Sequence, residues 1–367
     1  MRKKLLCFVA LMMTFVMIFT GCGQKTTADE SQKGEEKLKV AFIYIGPVGD
    51  AGWSYSHDEG RKYLVENMSE VETTVIESVP EGSDSERVLT ELAEKGNKII
   101  FATSFGYMDS VMNVAKKYPD ITFLHCSGYK TGENVATYFG RMYQPRYLSG
   151  IVAAKKTESN VIGYVAAMPI PEVIRGINAF TLGVKSVNPE ATVKVVWTNT
   201  WYDPAKEKEA AKSLLDAGAD VITQHQDTPG PQQAAQEQNA FSIGYNTDMS
   251  KFAPEAYLTA PVWNWGPYYL NTVKAVKEGT WKSEKYWGGL KDGVVALAPM
   301  TDLVDDEIKA LVEEEQKKLI ETDWDVFTGT IKDQDGNVKV EEGKTLTDEE
   351  LLSMDWFVEG VEGTIGK

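Results

Sequence analysis

The chain predicts an α/β protein of two doubly wound lobes, each built on its own parallel sheet. Three features carry that expectation. Short apolar runs rich in β-branched and aromatic residues recur along the chain. Stretches of helical spacing, about 10–15 residues long, separate them, which is the rhythm of βαβ units. That rhythm breaks at Tyr138-Phe139-Gly140 and then starts again. A length of 367 residues suits two such lobes, since domains run to roughly 100–200 residues each.

Residues 39–45 (KVAFIYI) read as a buried strand and 54–68 as a helix. Strand 71–79, helix 83–95, strand 98–102, helix 108–117 and strand 121–126 continue the first half. The second opens with strand 161–166, helix 171–187, strand 193–197 and helix 204–217. Strand 220–223, helix 232–239 and strand 241–244 follow. After a strand at 257–260, the helix at 266–277 is expected to return to the first half. Strand 294–298 and helix 305–320 should then cross back. The first lobe is thus assigned 38–140 plus about 266–292, and the second 141–265 plus about 293–367. In the tail, Asp335-Gly336 signals a surface hairpin. Lobes joined by repeated crossings make a hinged clamshell, with a ligand between them at the carboxyl ends of the strands.

Composition narrows the function. Lys+Arg 38 against Asp+Glu 54 gives a net charge of −16, which argues against a nucleic-acid polymer or an anionic membrane surface as partner. With 43% hydrophobic and 25% charged residues the chain is neither disordered nor a multi-pass membrane protein. Three Cys and three dispersed His (His57, His125, His225) build neither a disulfide framework nor a zinc site. No metal and no cofactor is expected.

The first 22 residues read as an address. Arg2, Lys3 and Lys4 precede an apolar stretch that ends near Phe19, too short to span a bilayer and suited to a signal peptide. Phe19-Thr20-Gly21-Cys22 resembles a bacterial lipoprotein box, with Cys22 as the lipidated residue. Residues 23–37 form a polar tether. Cleavage removes three basic and no acidic residues and takes the charge from −16 to −19. It leaves Cys126 as the one structural cysteine, in an apolar run where it reads as a small buried hydrophobe.

Three constellations could carry chemistry. Gly46-Pro-Val-Gly49-Asp50-Ala-Gly52-Trp53 follows the first strand, but its spacing is neither that of a dinucleotide-binding turn nor that of a P-loop. Asp50 either accepts N–H donors from a neutral planar ligand beside Trp53 or caps the helix that begins near Ser54. Five tryptophans (Trp53, Trp197, Trp201, Trp263 and Trp265) fall at strand ends or in the loops after them, where they could stack on a heteroaromatic ring or on a sugar face. Trp197 lies within a strand and reads as core. Polar residues gather at the other strand ends: Thr103-Ser104-Phe105-Gly106, Gln224-His225-Gln226-Asp227-Thr228 and Gly244-Tyr245-Asn246-Thr247-Asp248. Each could orient a ligand or simply cap a loop. There is no Gly-x-Ser-x-Gly and no His-Glu-x-x-His, and an enzyme is not expected.

The segment 39–60 (KVAFIYIGPVGDAGWSYSHDEG), with 101–106 (FATSFG), 200–206 (TWYDPAK) and 243–248 (IGYNTD), resembles the basic membrane protein family. Its members are lipoprotein substrate-binding components of ABC transporters, similar to the purine nucleoside receptor of spirochaetes. The resemblance implies a type I periplasmic-binding-protein fold and a purine gripped between Trp53 and Trp201. It aligns Asp50 with the acidic position that reads the purine edge, Ser104 and Phe105 with the pocket wall, and Asp227 with the lining of the second lobe. Asn246 falls where nucleoside-binding members carry Asp. The Lys that contacts ribose in those members is absent from Pro261-Val-Trp263-Asn-Trp265, where bulky Trp263 leaves less room. A nucleobase such as adenine is therefore expected ahead of a nucleoside. The resemblance further implies a monomer tethered outside the cytoplasmic membrane by its lipid alone, partnered by a permease and an ATPase. A sugar receptor of the same fold and a surface signalling lipoprotein are the alternatives.

Overall fold

The computed structural model describes residues 37–366; the signal segment, Cys22 and nearly all of the tether lie outside the described residues. The first sheet takes β1 (Leu38–Ile43), β2 (Val71–Ile76), β3 (Ile99–Ala102), β4 (Thr122–Cys126) and β5 (Val135–Gly140). Helices α1 (Trp53–Asn67), α2 (Ser83–Glu94) and α3 (Met108–Lys117) connect its first four strands. Beyond β5, helix α4 (Tyr143–Lys156) enters the second lobe. There β6 (Val161–Ala166), α5 (Pro171–Val187), β7 (Thr192–Trp197), α6 (Pro204–Asp216), β8 (Val221–His225), α7 (Gly230–Glu237), β9 (Phe241–Ile243) and β10 (Tyr257–Thr259) alternate. Then β11 (Pro261–Trp263) leads to α8 (Gly266–Lys277) and β12 (Lys285–Gly288), and β13 (Val295–Leu297) to α9 (Asp306–Glu321). A tail of β14 (Ile331–Lys332), β15 (Val338–Val340), α10 (Asp348–Leu352) and β16 (Val361–Glu362) closes the chain.

Two six-stranded sheets result, ordered β12-β5-β4-β3-β1-β2 and β10-β9-β8-β6-β7-β16. Every pairing within them is parallel. Parallel strands covered on both faces must be apolar throughout, and β3 (Ile99, Ile100, Phe101, Ala102) is buried at every residue. Cys126 is buried and free. Helix α8 packs on α1 and β12 adds to β5, so this stretch joins the first sheet. Outgoing β11 and returning β13 pair antiparallel beside one another. The tail folds onto the second lobe: β16 pairs with β7, Arg175 Nη1 donates to the Leu351 carbonyl at 2.6 Å, and Asn178 Nδ2 donates to the Trp356 carbonyl at 2.8 Å. Its hairpin turns at Gly336, whose φ is +84°. No helix among the described residues is long and apolar enough to cross a membrane.

Periodicity had no purchase on α4. Twelve of its 14 residues are buried, so no polar face marks it as helical, and Pro145 and Gly150 lie inside it. It packs backbone to backbone on α5: a Cβ at Gly150 would strike the Phe180 carbonyl, and one at Gly183 the Tyr147 carbonyl.

The lobes meet at the start of α1. A Cβ at Gly52 would collide with the backbone carbonyl of Asp227, and Thr247 Oγ1 donates to the Ala51 carbonyl across the same seam. Two outcomes follow. Gly183→Ala should cost ~1–3 kcal/mol and lower the thermal unfolding midpoint by roughly 2–10 °C, followed by circular dichroism. Gly52→Ala should leave that midpoint nearly unchanged while wedging the seam: small-angle scattering should show a larger radius of gyration, with ligand affinity down roughly 5- to 150-fold.

Candidate functional site

Both sheets reverse their strand order at one place, between β1 and β3 in the first lobe and between β6 and β8 in the second. In open α/β sheets the crevice beyond the carboxyl ends at such a point is where ligands bind. Here the two crevices face each other across the seam. Between them lies a small pocket with a cavity volume of about 30 Å³. Ile45, Trp53, Ser104, Phe105 and Ser127 line it from the first lobe, and Glu172, Trp201, His225, Asp227 and Tyr245 from the second.

Asp50 builds the first wall without standing in it. Its carboxylate accepts from the backbone N–H groups of Gly52 (2.8 Å), Ser54 (2.8 Å) and Tyr55 (3.0 Å). These are donors that the first turn of α1 would otherwise leave unmet. Burial pushes the Asp50 carboxyl up to about 6, against the pull of those N–H groups. Trp53 is the first residue of α1. Its ring is fixed by Nε1 donating to the Thr103 carbonyl at 2.7 Å, and by an edge contact with Trp263, centroids 5.7 Å apart. Ser104 is held by its hydroxyl donating to Glu81 at 2.6 Å and by His125 Nε2 donating to its carbonyl at 2.8 Å.

The second wall is acidic. Asp227 and Glu172 both line it, and among the described residues no Lys or Arg does. Asp227 Oδ1 accepts from Asn246 Nδ2 at 3.2 Å. Asn246 Oδ1 in turn accepts from Trp263 Nε1 at 2.9 Å. Asn246 and Trp263 therefore stand one layer behind the cavity and orient its wall. Trp263 also stacks on buried Trp265, centroids 4.5 Å apart. His225 Nε2 lies 3.4 Å from Glu172 Oε1 and 3.3 Å from the Tyr245 hydroxyl. Burial pushes His225 down to about 4, partly offset by Glu172, so it is neutral at physiological pH. Arg146 lies 3.8 Å over the Tyr245 ring and donates from Nη1 to the Gln224 carbonyl at 2.6 Å, which braces the wall from inside.

Of the residues expected from sequence, Trp53, Ser104, Phe105, Trp201 and Asp227 line the cavity, and Asp50, Asn246 and Trp263 support it. Glu172, His225, Tyr245, Ser127 and Ile45 line it without having been singled out as ligand contacts. His225, at the end of β8, and Asp227, two residues on, reach the same face of the cavity. Glu172 sits at the start of α5, the loop-to-helix position after β6 that corresponds to Trp53 after β1.

Among the described residues, no group of His, Cys, Asp and Glu could hold a metal ion. Residues 37–323 match the Bmp family model, described as ABC transporter substrate-binding protein PnrA-like. The chain is 50% identical to a purine-binding protein of Brucella abortus over 89% of its own length and 94% of the relative's. It is 42% identical, over 94% of its length and 86% of the relative's, to a protein of Haloferax volcanii named for ABC transporter glucose binding. An ABC transporter solute-binding protein from Aeropyrum pernix superposes with a TM-score of 0.70 at 21% identity, over 87% of this chain and 98% of that one, and shows the shared fold. The cleft between two parallel-sheet lobes and the match along residues 37–323 lead to one conclusion: the chain belongs to the Bmp family of PnrA-like ABC transporter substrate-binding proteins.

Proposed function

We propose that the protein captures a purine, with a nucleobase such as adenine ahead of a nucleoside, between its lobes and delivers it to an ABC permease with its ATPase. The observation that carries this reading is the cavity itself: one tryptophan from each lobe, Trp53 and Trp201, with an acidic wall and no Lys or Arg among the described residues that line it. Aromatic faces grip a heteroaromatic ring, carboxyl groups meet its N–H donors, and a wall without cations disfavours phosphorylated nucleotides. The purine-binding relative at 50% identity supports the same class. Trp263, buried behind the wall, takes up space near the segment where nucleoside binders carry Lys, which favours the smaller base. Substrate-binding proteins of ABC importers act outside the cytoplasmic membrane. Cys22 is the residue proposed to anchor this monomeric receptor there through lipid.

Capture at micromolar to nanomolar Kd needs about 8–12 kcal/mol. Stacking supplies ~1–3 kcal/mol per ring, so edge hydrogen bonds and exclusion of water must provide the remainder. Trp53→Ala and Trp201→Ala should each weaken adenine binding roughly 5- to 150-fold with the circular dichroism spectrum unchanged. Wild-type titration by calorimetry in both variants would remove the sandwich.

A sugar is the second reading, favoured by the 42% identical relative named for glucose and by the capacity of tryptophan to stack on saccharide faces. Titration of intrinsic tryptophan fluorescence with adenine, adenosine and glucose separates the readings. Adenine should bind most tightly; saturable binding of glucose with none of adenine would overturn the purine assignment. Mass spectrometry of the small molecule released on denaturing the purified protein checks the same point independently.

A further inference from the structure

Four carboxyl groups crowd one end of the cavity, and their hydrogen-bond partners are unequal. Asp50 holds three backbone N–H groups. Glu207, on α6 and fully buried, accepts from the backbone N–H groups of Asp203 (3.0 Å) and Thr228 (3.0 Å) and from the Thr228 hydroxyl. Glu172 faces His225. Asp227 has one amide donor on Oδ1, and no described residue bonds its Oδ2. No salt bridge reaches it among the described residues, so nothing there compensates a charge.

The groups that face Asp227 come from every element around it. Asp50 stands on the turn before α1, Glu207 on α6 and Glu172 on α5. His225 of β8 is neutral, the phenols of Tyr202 before α6 and Tyr245 after β9 also feel the Asp227 charge, and Asn246 follows β9. Arg146 of α4 is turned onto Tyr245 and the Gln224 carbonyl. Burial pushes the Asp227 carboxyl well above the ordinary range, and the charges of Asp50, then Glu207, and more weakly Glu172 push it further. Asp50 and Asp227 belong to opposite lobes, and Gly52, bonded to the first, lies against the backbone of the second. Closing the cleft therefore brings two carboxyl groups together and dries both.

We propose that Asp227 is the neutral acid in the closed, ligand-bound receptor, and that it selects bases presenting an unprotonated ring nitrogen beside an amino group. Its Oδ2–H donates to the ring nitrogen while the carbonyl Oδ1, which already accepts from Asn246, uses its second lone pair for the amino N–H. One proton from solvent is taken up on binding, and no other bond is made or broken. A carboxylate at this place would instead favour a ring N–H, as in an oxopurine. This deepens the purine reading above and rests on it.

The sign follows from linkage. Asp227 has a higher pKa in the closed complex than in the open receptor, so affinity is full below the open-state value and falls as pH rises above it, by up to tenfold per pH unit, levelling off beyond the closed-state value. The test is calorimetry of the whole purified protein with adenine between pH 7 and 8.5, above the range in which Asp50 titrates, in buffers of different ionisation heat. Wild type should take up close to one proton in the sloping range. Asp227→Asn keeps an N–H donor beside a carbonyl and cannot titrate, so its affinity should not vary with pH and its proton uptake should vanish. Asp227→Ala should bind more than tenfold weaker at low pH. Adenine binding by wild type without proton uptake, or uptake that persists in Asp227→Asn, overturns the proposal and leaves the purine reading standing. Failure of adenine to bind at every pH overturns both.

Discussion

The buried carboxylate of Asp50 is the constraint on which the site depends. Hydrogen bonds from backbone N–H groups to a charged acceptor contribute ~1.5–3 kcal/mol each, and three of them offset part of a desolvation cost that still raises the carboxyl. In return the carboxylate fixes where α1 begins. That start holds Gly52 at φ −123° and ψ −116°, so the backbone of Asp227 can lie against it. It also makes Trp53 the first helical residue, with its indole N–H aimed at the Thr103 carbonyl. And it leaves a negative charge at the lobe seam, to which the opposite wall must adjust. The same residue thus serves local helix chemistry, the fit of the lobes and the electrostatics of the cavity.

Alternation of apolar runs and helical stretches located most elements because most sit at the boundary between core and water. The exceptions lie where that boundary is missing. Helix α4 is immersed between the second sheet, α5 and α9, so its burial pattern carries no period. β5 is buried at all six residues, yet its Tyr138-Phe139-Gly140 end was read only as the break between halves. β12 comes late in the chain and adds to β5 at the far edge of the first sheet, a non-local pairing that local sequence does not announce.

Site residues followed a comparable rule. Trp53, Ser104, Phe105, Trp201 and Asp227 were legible because large aromatics and polar groups stand out against the strands they follow. Asp50 was open between two uses, helix cap and ligand acceptor; the geometry shows the capping bonds directly, with the side chain behind the wall. Asn246 and Trp263 drew notice for chemistry they pass on through Asp227 and Trp53 rather than offer to the cavity. Glu172 was missed because an acidic residue in the first turn of a helix has an ordinary explanation in the helix dipole. Its position after β6 was the stronger clue, since every other wall residue also follows a strand end or closes one.

If a purine lies between the lobes as proposed, binding and closure are one event. A ligand can shift a two-state equilibrium only by its differential affinity for the two states. Trp53 and Trp201 line the pocket from different lobes, so the ring proposed to lie between them would meet both only when the cleft is shut. Closing dries the cavity and brings Asp50 toward Asp227, and against those costs stand the seam contacts of Thr247 with Ala51 and of Gly52 with Asp227. With a ligand, the two stacks and the edge contacts would arrive together. A ligand that meets both walls would add its contacts to those of the seam, and that added free energy is what would distinguish a loaded receptor from an empty one.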